Sequence, residues 1–242
     1  MLSDSNMTLT EHLEDLRWGL LRSVVAIVIA SSVCYYFSDA IFGFMVAPLR
    51  QNLQPGQNLI GTSVTEAFFS ELKVALAAGV LFSSPYIFYQ VWRFVAPGLS
   101  GGEKKLVVPF VLSATLFFIG GAYFCYRIVL PVAFKYFIEQ YTTMGVTPAI
   151  RIGEYFTFFF RMVLAFSVTF ELPVFTFFLV RLGIWNYRLM ISSFRYALIA
   201  IFVLAAMLTP TPDVINQSLL ALPMLVLYVL SIGVAYVWRR KE

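Results

Sequence analysis

Six mostly apolar stretches, at 18–37, 68–95, 106–129, 155–180, 194–208 and 214–237, dominate this 242-residue chain. Crossing a hydrocarbon core of ~30 Å takes a helix of roughly 20 apolar residues. Helices and closed barrels are the only structures that satisfy their own backbone in that solvent, and apolar runs of this length read as helices. The chain is 60% hydrophobic and 12% charged, where a soluble domain is about 25% charged. The expected fold is all-α and membrane-integral, a single polytopic domain of six transmembrane helices. The stretch at 194–208 is short for a full crossing, so it requires a locally thinner bilayer or neighbours to tuck against.

Charge sets the expected orientation. Of the 17 Lys and Arg residues, Arg17, Arg22, Arg93, Lys104, Lys105, Arg181, Arg188, Arg195, Arg239, Arg240 and Lys241 fall on one side of the apolar runs. Arg50, Lys73, Arg127, Lys135, Arg151 and Arg161 fall on or toward the other. Short loops rich in Lys and Arg resist translocation, so both termini are expected in the cytoplasm and the protein in the cytoplasmic (inner) membrane. The net charge of +4 speaks for membrane orientation and contact with lipid, not for nucleic acid. No cleavable leader precedes the first run, which should remain as an anchor. Thr10 is a candidate N-cap for a helix that begins in the polar head.

Between the runs, Ser38–Glu66 reads as an outside loop with a short interfacial piece at Ile41–Val46. Pro131–Ile152 reads as a second outside loop, although Val132–Tyr141 is compatible with a helix. Cys34 and Cys125 both lie inside apolar runs, which argues for small core residues and against a disulfide framework.

Catalytic sets are not in view. His12 is the one histidine and lies in the polar head, which excludes a histidine triad or a histidine metal cluster within the membrane. Walker, HExxH and GxSxG patterns are missing from the sequence. The expectation is a non-enzyme without cofactor or metal.

Three carboxylates remain to be explained. Glu171, in Ser167–Val174 (SVTFELPV), lies deep in the fourth apolar run. A charge at the centre of a membrane helix costs ~2.5–3.5 kcal/mol on an insertion scale. The residue is therefore either a neutral acid hydrogen-bonded to a neighbouring helix or a polar feature facing a cavity or partner helix. Pro173, two residues on, loosens the helix there. Asp15 stands at the mouth of the first run, and Glu103 stands in the basic turn that follows Tyr89–Leu99. A loop that only sets topology needs no such acid. Asp15 alone reads as a helix-start charge and Glu103 alone as a solvated surface acid. Together they form a candidate pair of acceptors at the cytoplasmic membrane surface.

The ordered motifs HLEDLR (His12–Arg17), APL (Ala47–Leu49), YQVWRFVAPGL (Tyr89–Leu99), EKKLVVPF (Glu103–Phe110), SVTFELPV and LTPTPDVINQSLLALPM (Leu208–Met224) resemble the TatC family over nearly the whole chain. That family is the receptor subunit of the twin-arginine protein translocase, a glove-shaped bundle of six helices with both termini cytoplasmic. The resemblance implies that Asp15 and Glu103 receive the Arg-Arg pair of a signal peptide, with Arg17, Leu20 and Phe94 around them. It places Pro48 and Phe68 at family positions of the first outside loop and the family's buried carboxylate on Glu171. It puts the docking of single-span partner subunits of the TatA and TatB type on Met207, Thr209 and Gln217, with Asp213 in the hinge beside them. Further copies of the chain are implied partners, and the proton motive force is the implied energy source. Two departures stand out: Asp15 replaces the family's usual, longer Glu, and the hinge reads TPTPD where TPPD is also familiar.

A reading from another class treats the chain as a proton-coupled small-solute transporter with Glu171 as the proton carrier. Such transporters are usually built from paired repeats, and the Glu171 motif has no second copy in the sequence.

Overall fold

A computed structural model describes residues 9–53, 57–95, 107–209 and 214–238. Their order is α1 (Leu9–Tyr36), α2 (Ser38–Arg50), α3 (Glu66–Val95), α4 (Val107–Phe124), a π-helical turn (Cys125–Val129), α5 (Leu130–Thr143), α6 (Ile152–Arg181), α7 (Tyr187–Ser192), α8 (Phe194–Leu208) and α9 (Val214–Val237). Five helical stretches are long and apolar enough to cross a membrane: α1, α3, the run from α4 through α5, α6 and α9. The shorter apolar helix is α8. This is a multi-pass, all-α membrane protein. The one irregularity of β type among the described residues is an isolated parallel bridge, Ile60 with Arg151.

Three elements differ from the sequence reading. Among the described residues α1 already includes Leu9, so Thr10 lies within the helix and not ahead of it. Helix α2 extends the short interfacial piece to thirteen residues. Helix α5 occupies most of the segment read as a second outside loop. Pro131 looks like a breaker in sequence, yet it falls at the start of α5, where a missing N–H costs little. The π turn just ahead supplies the adjustment, with the Leu130 N–H donating to the Cys125 carbonyl.

The chain divides into two compact units, residues 1–42 with 71–116, and residues 43–70 with 117–242. In the first unit α1 and α3 meet through small side chains. Cys34, Ala75 and Ala78 form a buried cluster, and a Cβ on Gly79 would stand 2.7 Å from the Ser31 nitrogen and 2.8 Å from its Cα. Small residues permit such approach in membranes, where van der Waals packing and not water expulsion joins helices. Pro85 inside α3 leaves the Leu81 carbonyl without its helical donor, and the Ser84 hydroxyl donates to it at 2.7 Å. Most of the apolar surface of α1 points outward: 6% of its most apolar window is buried, as suits a helix whose surroundings are lipid.

In the second unit α6 is the central element and packs against α8 and α9. Buried Phe156, Phe159, Met162 and Phe166 run along its core side. Helix α7 is tied to α9 by Val180, Met190 and Ala235 and by the Tyr228 hydroxyl, which donates to the Met190 carbonyl at 3.0 Å. Helices α5 and α6 each end in a glycine at positive φ, Gly145 at 67° and Gly183 at 75°, the usual left-handed stop.

Neighbouring glycines in α4 make a built-in control. A Cβ on Gly121 would meet the Phe166 carbonyl oxygen at 2.7 Å and the Ser167 Cα at 2.8 Å, whereas one on Gly120 meets nothing within 4 Å. Gly121→Ala is expected to destabilise the protein by about 1–3 kcal/mol, the usual cost of overpacking. Gly120→Ala should be neutral or stabilising by up to about 1 kcal/mol through helix propensity. Thermal unfolding of the two variants in detergent checks this; equal midpoints would show that α4 and α6 do not approach so closely.

Candidate functional site

The residues singled out in sequence fall into two sets, one in each unit. In the first unit, Asp15, Arg17 and Leu20 lie on α1 and all three are exposed, Leu20 at 66%. At ~100° per residue, Asp15 and Arg17 point to different sides of the helix. Phe94 closes the far end of α3, where it is half-buried. Glu103 lies outside the described residues.

His12 brings these elements together. Its ring stacks on Phe94 with centroids 4.2 Å apart and planes 18° from parallel. This contact joins the start of α1 to the end of α3. Asp15 stands one turn beyond His12 on α1. The sequence reading used His12 to exclude catalysis and as the first residue of HLEDLR, and gave it no structural role. Its spacing of three residues from Asp15 was the available signal that both share a helix face.

The second unit holds the other residues. Glu171 is buried at 3% exposure. Neither carboxylate oxygen has a hydrogen-bond partner among the described residues, and the same holds for the hydroxyls of Ser167 and Thr176 on the same helix. Among the described residues, then, Glu171 makes no hydrogen bond to a neighbouring helix. A buried polar group left unpaired costs about 1–3 kcal/mol.

Met207 and Gln217 converge on one apolar groove between α8 and α9, lined also by Leu198, Ile199, Phe202, Val203 and Ala206, with about 480 Å³ of open space. Met207 is 71% exposed. The Gln217 side-chain amide donates to the Phe202 carbonyl at 2.8 Å, which fixes the one polar side chain of the groove in place. Thr209 does not line it; its hydroxyl donates to the Ala205 carbonyl at 3.1 Å and finishes α8. Asp213 lies outside the described residues.

On the outside-loop side, Pro48 is buried within α2 and Phe68 is exposed, edge-on to Phe69 at 5.7 Å. Sequence reasoning missed Glu66. Its Oε2 accepts from the Thr62 N–H at 2.6 Å and hydroxyl at 3.0 Å, and its Oε1 accepts from the Gly153 N–H at 2.9 Å. One carboxylate at the first residue of α3 thus binds both the loop ahead of α3 and the first turn of α6, and negative charge is favoured at both helix N-termini. The Ile60 N–H donates to the Ile150 carbonyl at 2.9 Å, and the Ile152 N–H donates to the Ile60 carbonyl at 3.0 Å. Together they clip the loop at 60–66 to the start of α6. Ser63-Val64-Thr65-Glu66 has capping-box spacing, and that was the signal.

Taken together, the molecule is a polytopic helical membrane protein whose singled-out residues lie near the start of α1, within α6 and along the α8–α9 groove. Among the described residues no group of His, Cys, Asp and Glu could hold a metal. The family model for TatC, the Sec-independent protein translocase protein, matches residues 11–223. A TatC from Koribacter versatilis is 39% identical, with 98% of this chain and 88% of that protein covered. One from Campylobacter jejuni is 43% identical, covering 93% and 91% respectively. A crystal structure of the twin-arginine translocase receptor TatC superposes with a TM-score of 0.85 at 36% identity, covering 95% of this chain and all of that one. The chain belongs to the TatC family.

Proposed function

We propose that this chain is the receptor of a twin-arginine translocation system, which binds twin-arginine signal peptides and nucleates the complex that moves folded proteins across the cytoplasmic membrane. The observation that carries this reading is the family match along residues 11–223, joined to a crystal structure bearing the receptor's name at a TM-score of 0.85. The arrangement of the first unit supports it. Asp15 is exposed and the His12–Phe94 stack ties its helix to the end of α3, from which the turn carrying Glu103 departs. A guanidinium binds a carboxylate through a fixed fork that an ammonium cannot reproduce. Two such contacts of ~1.5–3 kcal/mol each account for selection of Arg-Arg over Lys-Lys without any covalent chemistry.

In the same reading the α8–α9 groove takes the transmembrane helix of a TatA- or TatB-type subunit, with Gln217 and Met207 in contact. Glu171 accepts a polar group during assembly, and further copies of the chain complete the complex. The proton motive force supplies the energy. Both termini are cytoplasmic, on the strength of the Lys and Arg distribution.

Two experiments test the proposal. A bacterium stripped of its own receptor should regain export of a twin-arginine reporter when it makes this chain with its cognate small subunits; export no better than in the stripped strain contradicts it. Topology reporters joined after Gln51 and Thr143 should read outside, and those after Gly101 and Glu242 inside. An external C-terminus would reverse the orientation of α9.

A further inference from the structure

Pro48 has no N–H, so within α2 the carbonyl four residues earlier, that of Phe44, loses its helical donor. The Tyr126 hydroxyl donates to that same carbonyl at 2.8 Å. The two rings also stack, with centroids 4.4 Å apart and planes 14° from parallel. Tyr126 is the second residue of the π turn, a feature that recurs at functional sites. A second hydroxyl, that of Tyr155, donates to the next carbonyl, Met45, at 2.6 Å. The Asn52 amide donates to the carbonyl of Pro48 itself at 2.9 Å. Three anchors therefore hold the backbone of one short helix, and one of them falls on the carbonyl that Pro48 leaves without a helical donor.

We propose that Tyr126 is the positioning residue of α2: its hydroxyl fills the carbonyl that Pro48 leaves open and so fixes the register of Phe44–Leu49 for export. The proposal rests on reading the outside loop that contains Pro48 as part of the translocation machinery. In this account the proline contributes an acceptor and not stiffness alone, and the tyrosine is its donor. The prediction that follows is a suppression. Tyr126→Phe keeps the ring stack and removes only the donor, so α2 loosens. Adding Pro48→Ala returns an N–H at position 48, which takes the Phe44 carbonyl and tightens α2 again.

The test is amide hydrogen exchange over residues 45–50 of the full-length protein in detergent, on the native chain, Tyr126→Phe, Pro48→Ala and the double variant. Tyr126→Phe should speed exchange about five- to tenfold, the equivalent of one hydrogen bond. The double variant should return to within about twofold of the native rate. A double variant as fast as Tyr126→Phe, or a Tyr126→Phe protein that exchanges like the native one, overturns the pairing. Export of a twin-arginine reporter by Tyr126→Phe at equal abundance supplies the readout that stability alone would not move: it should fall severalfold while signal-peptide binding persists. Normal export despite a loosened α2 overturns the positioning role and leaves the pairing intact. Loss of signal-peptide binding in the native chain would instead overturn the receptor reading.

Discussion

Replacing Glu103 by Gln should weaken signal-peptide binding by about 10- to 100-fold, the loss of one charge-assisted, bidentate contact of ~1.5–3 kcal/mol. Membrane insertion should be untouched, because the residue lies in the turn between α3 and α4 and outside the apolar runs. Glu103→Ala should match Glu103→Gln, since charge and not volume is at stake. Glu103→Asp should keep part of the function with a shorter reach. The second acceptor gives a test in the opposite direction. Asp15→Glu restores the longer acid and should bind as well as the native chain or better, while Asp15→Asn weakens binding. Crosslinking of a labelled signal peptide at equal receptor abundance reads all five variants. Normal crosslinking in Glu103→Gln removes it as an acceptor, and normal crosslinking in Asp15→Asn leaves that residue only its place near the start of α1.

Glu171→Ala should abolish assembly with the small partner subunits without lowering the abundance of the protein, whereas Glu171→Gln should be mild. The structure sharpens this expectation, because neither carboxylate oxygen of Glu171 has a hydrogen-bond partner among the described residues, so its loss removes no hydrogen bond there. Glutamine keeps a polar group that can pair with a partner helix; alanine does not. A lone acid with no cation beside it in the helix is more cheaply kept neutral than charged, which is why the assembly role is preferred to a role that requires ionisation. Export and partner crosslinking in Glu171→Gln at equal expression decide between them. Loss of export with normal crosslinking would assign Glu171 to ionisation during transport.

The fold class and the family were legible because apolar runs of spanning length and several ordered motifs survive in any reading of the chain. Boundaries that depend on local exceptions were not. Pro131, Lys135 and Glu139 make α5 look like a loop, and only the π turn at Cys125–Val129 lets the helix continue through them. The contacts that fix the segments between the apolar runs were also invisible. Tyr126 and Phe44 are 82 residues apart, and Glu66 and Gly153 are 87, so nothing in either local pattern points to the other. The candidate residues were legible one at a time: Asp15 and Glu171 stood out by type and place, and Phe94, Met207 and Gln217 came only through the family resemblance. The chain itself does not show that His12 joins α1 to α3, or that Met207 and Gln217 share a groove that Thr209 does not line.

The central claim, that this chain is a receptor for twin-arginine signal peptides, is tested most directly by co-purification. A signal peptide fused to a reporter is incubated with the purified full-length protein in detergent, beside the same fusion with its Arg-Arg pair changed to Lys-Lys. The account predicts retention of the Arg-Arg fusion and at least tenfold less of the Lys-Lys fusion, a difference of about 1.4 kcal/mol or more. Equal retention of both, or retention of neither, would contradict it and return the small-solute transporter with Glu171 as its proton carrier to first place.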